Sequence, residues 1–176
     1  MRHLIVAMRL SLTLLCITTT VITEGFTMGT LTITSPAFKQ GEAIPARYTC
    51  DGGDSNPPLV IGNTPPATRS LAIIMDDPDA PMGTWVHWVA WNIPAQTREI
   101  SEAGPPSGAF LGMNSWKRNS YGGPCPPSGL HRYYFRIYAL DTLLHLNSSS
   151  TKGGLEQAMQ GHILAKGELM GTYKRP

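Results

Sequence analysis

The sequence predicts a mainly β fold, with two sheets or a sandwich and one small helix near the C-terminus. Three observations predict it. The apolar runs are short and rich in β-branched and aromatic residues, as strands are. The 18 Gly and 15 Pro fall in short clusters between those runs, where they join strands through tight turns. Only Thr151 to Ala165 carries apolar residues at helical spacing. A chain of 176 residues suits one domain with an adequate core. Its 41% hydrophobic and 15% charged content describes a globular, lightly charged protein. Net charge is only +2, and no basic run is longer than a pair such as Lys174-Arg175, so the footprint of a nucleic-acid binder is missing.

Residues 1–27 read as a signal peptide. Arg2 and Arg9 precede an uncharged span from Leu10 to Thr23 that is too short for a stable membrane anchor, which wants ~18 or more apolar residues. No Ala-x-Ala cleavage signal occurs, and Leu14-Leu15-Cys16 lacks the small residue of a lipoprotein site. Processing would leave one domain at 28–176, periplasmic or secreted; a start at Met28 would instead give a cytoplasmic domain. Cys16 leaves with the leader, and Cys50 and Cys125 remain in Gly/Pro-rich loops. Two cysteines permit one disulfide, and two unrelated thiols are the alternative. No zinc-type Cys/His spacing is present.

From Met28, Leu31 and Ile33 alternate as a first strand would. Arg47 to Thr49 reads as a short strand, Asp51 to Pro58 as an irregular loop, and Leu59 to Ile61 as a brief apolar run. The chain is organised around RSLAIIMDDPDAPMGTWVHWVAWNIP, Arg69 to Pro94. Leu71 to Met75 has the character of a buried strand and delivers Asp76, Asp77 and Asp79 at its end. Pro78 and Pro81 fix φ and stiffen that turn. In the next strand, Thr84 to Ile93, Trp85, His87, Val89 and Trp91 fall on one face and Val86, Trp88 and Ala90 on the other. His87 is the titratable residue among tryptophans. Ala95 to Pro127 is a long loop anchored by Trp116 and Tyr121, and loops of that length are usually functional.

In the strand after Pro126-Pro127, His131, Tyr133, Phe135, Ile137 and Ala139 share one face, opposite Arg132, Tyr134, Arg136, Tyr138 and Leu140. The helix then has Thr151 as N-cap and Leu155, Ala158, Met159, His162 and Ile163 at helical spacing. Gly153, Gly154 and Gly161 weaken it by roughly 1 kcal/mol each. A last strand spans Glu168 to Tyr173.

The motifs DPDAP, TWVHW and GPCPPSGLHRYYF, in that order, resemble the phosphatidylethanolamine-binding protein family, and within it the bacterial Raf kinase inhibitor-like branch. The resemblance runs from about Leu31 to Arg175. It implies a sandwich of two antiparallel sheets with peripheral helices and a small anion-binding pocket at one end. The family pocket positions fall on Asp77, Asp79, Trp85, His87, His131 and Tyr133, with Gly123 and Pro124 along the rim. Two departures stand out: a shorter turn at MGTW, and NPPLVI in place of SPPLxW, which removes one aromatic wall.

A tetrahedral anion needs convergent donors, and His87, the Tyr133 hydroxyl and backbone N–H groups near Gly123 are the candidates. The carboxylates of Asp77 and Asp79 would repel it. They are reconciled with it if one orients a histidine and keeps it charged, or if the pair accepts an ammonium group; a zwitterionic head group satisfies both. The expected function is a non-catalytic binding protein for phosphate-bearing ligands such as phosphoethanolamine-type head groups, needing no cofactor or metal. The resemblance adds kinase or protease partners. Each site residue also has a purely structural reading as turn residue or core aromatic. Hydrolase or metalloenzyme chemistry on the Asp/His cluster is the rival class, and a pure protein-interaction module the third. No GxSxG, HExxH or GxxxxGK[ST] motif supports an enzyme.

Overall fold

The computed structural model describes residues 28–176; the expected leader at 1–27, with Cys16, lies outside the described residues. The described chain forms strands β1 (Gly29–Thr30), β2 (Thr32–Thr34), β3 (Leu59–Gly62), β4 (Ser70–Asp77) and β5 (Trp85–Pro94), then β6 (Glu99–Ile100), β7 (Phe110–Leu111) and β8 (His131–Leu140). A short helix, α1 (Lys152–Ala158), and a long last strand, β9 (Ile163–Tyr173), complete it. A six-stranded sheet has the order β1-β9-β8-β4-β5-β7, and a three-stranded sheet the order β2-β3-β6. The pairings are antiparallel except that β1 runs parallel to β9, a departure from the purely antiparallel expectation.

The main core lies between the sheets, where Leu71, Ile73 and Met75 of β4 and Phe135 and Ile137 of β8 meet Ile33, Leu59 and Ile61. A second cluster covers the opposite face: Ala72, Ile74, Val89, Trp91 and Leu140 pack on Leu155 and Met159, which α1 and the residue after it provide. Strand β4 is therefore buried on both faces, which is why its sequence reads as a continuous apolar run.

The strict alternation expected in β5 is broken. Met75 pairs with Trp88 but Asp76 pairs with Val86, so His87 is an extra residue in the ladder. Beyond this bulge Trp88 and Ala90 face the main core, while Val89 and Trp91 face the second cluster. His87 and Trp88 thus sit on the same side of the sheet as Tyr133, a placement that alternation alone assigns wrongly.

The helix is shorter than its apolar spacing suggests. Thr151 occupies the N-cap position without a side-chain capping bond, and α1 ends at Ala158. Gly161, at φ 78°, turns the chain, and Ile163 to Ala165 join β9 instead. Ala165 pairs with Ala139 of β8 and with Gly29 of β1, so two neighbouring strands claim residues that local propensity gives to a helix. Arg47 to Thr49, expected as strand, lies instead across a 3₁₀ turn at Ala46–Tyr48. Cys50 and Cys125 form a disulfide, with Cα atoms 5.4 Å apart.

Candidate functional site

Because β4 runs antiparallel to both its neighbours, its C-terminal end lies beside the starts of β5 and β8. Asp77 therefore pairs with Trp85, and His87, His131 and Tyr133 come to the same edge of the sheet. The three aspartates part company there. Asp76 points to the outer face, where Arg136 Nη1 and Lys152 Nζ each bind it at 2.5 Å. Asp79 is taken by Arg132, whose Nε, Nη2 and backbone N–H all donate to its carboxylate. That guanidinium pulls the Asp79 pKa down to about 2. Asp77 alone points inward. Its Oδ2 accepts from His131 Nδ1 at 2.7 Å and its Oδ1 from the Asp79 N–H at 2.8 Å.

Asp77, Trp85 and His87 line a cavity of about 380 Å³ with Ala80, Pro81, Met82, Trp116, Cys125 and Pro127. Trp116 stands edge-on to Trp85, ring centroids 5.4 Å apart, and to His87 at 5.0 Å. Tyr133 packs edge-on against the other side of the His87 ring at 5.2 Å. Its hydroxyl and Trp85 Nε1 are buried with no hydrogen-bond partner among the described residues. Asp77 and the Cys125 backbone lie near enough to influence the phenol, and burial above all raises its pKa, so Tyr133 stays a protonated donor.

His87 Nδ1 lies 2.7 Å from the carbonyl oxygen of Gly122. A carbonyl only accepts, so Nδ1 carries the hydrogen and the neutral ring keeps a bare lone pair on Nε2. Burial lowers the His87 pKa, outweighing the Gly122 carbonyl and the charge of Asp77, which raise it. The Asp77 carboxylate orients His131 and does not keep His87 charged.

The lowered value has a consequence for stability. An unfolded histidine titrates near ~6.5. Below that pH the unfolded chain takes up a proton that native His87 resists, so stability rises with pH across this window. The contribution of His87 is complete above the unfolded value and is lost as pH falls toward the folded one. Asp79 acts lower: its contribution is present above ~3.9 and is lost as pH falls toward about 2. In denaturant melts between pH 5 and 7, His87→Gln should show a shallower loss on acidification than the parent. An identical slope would mean that another group controls that limb.

The eight residues expected at the site divide into layers. Asp77, Trp85 and His87 line the cavity, while His131 and Tyr133 stand behind them, touching Asp77 and His87. Asp79 is committed to Arg132. Gly123 and Pro124 do not line it: the Gly123 N–H, expected to face an anion, donates to Asp54 Oδ1 at 2.6 Å, and the Pro124 carbonyl accepts from Cys50 N–H at 3.1 Å. The aromatic absent from NPPLVI is not missed either, since Ile61 sits in the main core and Trp116 provides the second wall. Trp116 was legible only as a loop anchor. Among the described residues, no group of three or more His, Cys, Asp or Glu is arranged to hold a metal ion.

The phosphatidylethanolamine-binding protein family model matches residues 34–174. The chain belongs to that family. A UPF0098 protein of Pyrococcus horikoshii is 49% identical over 150 residues, spanning 80% of this chain and 75% of its own. The UPF0098 protein of Methanothermobacter thermautotrophicus is 46% identical over 144 residues, covering 79% of this chain and 95% of its own. Among solved structures, a phosphatidylethanolamine-binding protein homologue from Chlamydia trachomatis superposes with a TM-score of 0.81 at 39% identity, covering 84% of this chain and 99% of its own. Escherichia coli YbcL, described as a new member of the mammalian family, gives 0.78 at 30% identity, covering 83% and 99%. The two-sheet fold with one short helix is that of these family members.

Proposed function

We propose that this family member is a binding protein whose sheet-end cavity holds a phosphate-bearing small molecule of the phosphoethanolamine head-group type, without turning it over. The observation that carries the reading is the pair of buried, unpartnered donors, Trp85 Nε1 and the Tyr133 hydroxyl, in and beside a cavity walled by tryptophans. Leaving a buried donor unsatisfied costs about 1–3 kcal/mol, a cost that an oxyanion offering several acceptors removes. Two features favour binding over turnover. Cys125 is in a disulfide, and the cavity lining holds no Ser or Thr beside His87.

Calorimetry with O-phosphoethanolamine tests the reading. The parent protein should bind it, and His87→Ala should weaken binding by at least about tenfold, the loss of one good polar contact. Equal affinity for both would reject this cavity as the site. Continuous release of inorganic phosphate would move the protein into the hydrolase class.

A further inference from the structure

The disulfide lies at the surface. Cysteine is among the residue types most often fully buried, yet Cys50 and Cys125 are both exposed. Neither belongs to a strand or helix: Cys50 follows the 3₁₀ turn at Ala46–Tyr48, and Cys125 stands in the segment between β7 and β8. A small molecule can therefore approach the bridge without a strand ladder first being opened. Exposed bridges are the ones that exchange with other thiols, whereas a buried one is shielded from attack.

More than the bridge holds these loops together. The Cys50 N–H donates to the Pro124 carbonyl at 3.1 Å, the Gly123 N–H to Asp54 Oδ1 at 2.6 Å, and the Tyr121 hydroxyl to the Tyr48 carbonyl at 2.9 Å. On its other side the Cys50 loop is clamped to the C-terminus. Asp51 accepts from the Tyr173 hydroxyl at 2.9 Å and from Arg175 Nε and Nη2 at 3.0 and 2.8 Å. None of these contacts passes through sulfur, so breaking the S–S bond leaves the two thiols as neighbours. Cys50 and Cys125 are the only cysteines among the described residues, and no third one there competes for either.

We propose that the bridge is a site of reversible thiol–disulfide exchange, carried out by the folded protein with a low-molecular-weight thiol of the glutathione class. A thiolate attacks one sulfur and bonds to it as the Cys50–Cys125 bond breaks, and the other sulfur leaves as a thiolate that takes a proton from water. A second small thiolate, attacking the small-molecule sulfur of that mixed disulfide, releases the oxidised small-molecule disulfide and leaves both cysteines as thiols. In the reverse of the first step, the freed cysteine attacks the mixed disulfide, expels the small thiol and restores the bridge. Exchange loosens the segment that carries Gly122, whose carbonyl holds His87 Nδ1. The chemistry itself does not depend on what the cavity binds.

The test incubates the full, folded, oxidised protein with reduced glutathione, quenches samples in acid and weighs them by mass spectrometry. Opened forms, carrying one glutathionyl group or two free thiols, should appear at a rate proportional to glutathione and unchanged by urea below the unfolding transition. Ile73→Ala hollows the core between the sheets, and should leave that rate within about twofold if opening is local. If exchange required global unfolding, the same variant would speed it by about 30-fold or more and the rate would climb with urea, which would overturn the proposal. Should Ile73→Ala not fold, the urea series on the parent decides alone. The acid-trapped mixed disulfide, returned to neutral pH without glutathione, should close to the bridge, since that step needs no oxidant. An adduct that persists would show that the thiols have parted and would overturn reversibility. Absence of any opened form would overturn the site.

Discussion

Replacing Cys50 and Cys125 by serine should lower the unfolding free energy by about 4.5 kcal/mol, the chain-entropy value for a bridge closing 75 residues. For a chain of this size each kcal/mol moves the midpoint by about 2–4 °C, so the melt should fall by roughly 9–18 °C. The bridge matters this much because of what it joins. Cys50 follows a 3₁₀ turn and Cys125 belongs to a Gly/Pro segment, neither of which has a strand ladder of its own. Two further links tie the segments together: Cys50 N–H to the Pro124 carbonyl, and Gly123 N–H to Asp54. Cys125 also forms part of the cavity wall, so ligand affinity should fall with stability. Denaturant titration of the parent under oxidising conditions against the double serine variant checks the first claim. A loss below about 1 kcal/mol would show that packing alone holds the loops.

The site is legible in the sequence to the extent that it depends on strand ends. Leu71 to Met75 and Thr84 to Ile93 anticipate β4 and β5 closely, and alternation in β8 correctly sends Tyr133, Phe135 and Ile137 to the core. These patterns are local, and burial of one or both faces writes them into the chain. The bulge at His87 is not local. It exists because β4 and β5 differ by one residue in register beyond Met75, and only the pairing of the two strands reveals that. The same holds for the partner of Asp77. Nothing in DPDAP says that His131, 54 residues later, and not His87 will receive its hydrogen bond. Trp116 lies in a segment without periodicity, so its place against Trp85 and His87 follows from tertiary packing. Only the end of the C-terminal helix, from Ile163 on, departs from its pattern, and for the opposite reason: its spacing is a real local signal, and pairing with β8 and β1 overrides it.

Gly123→Ala should damage both the fold and the site, although residue 123 does not face the cavity. A Cβ at this position would lie 2.6 Å from the Tyr48 carbonyl oxygen, 2.8 Å from Thr49 Cα and 2.9 Å from Asp54 Oδ1. Two of these are backbone atoms of a turn anchored by the neighbouring disulfide, so residues 122–127 must lift away. Overpacking of this kind typically costs about 1–3 kcal/mol. The lift also moves Gly122, which grips His87 twice: its N–H donates to the His87 carbonyl at 3.1 Å, and its own carbonyl accepts from Nδ1 at 2.7 Å. Without that acceptor the imidazole is free to put its hydrogen on either nitrogen, and the fixed donor and acceptor pattern of the cavity is lost. Affinity for O-phosphoethanolamine should drop about tenfold or more, in addition to the loss in stability. Gly153→Ala provides the contrast. It lies within α1 with nothing inside 4 Å of the added atom, and should stabilise the protein by about 0.5–1 kcal/mol without touching binding. Paired denaturation and calorimetry on the two variants decide the matter. If Gly123→Ala melts early yet binds as well as the parent, the Gly122 carbonyl does not control the site and His87 is held by its aromatic neighbours.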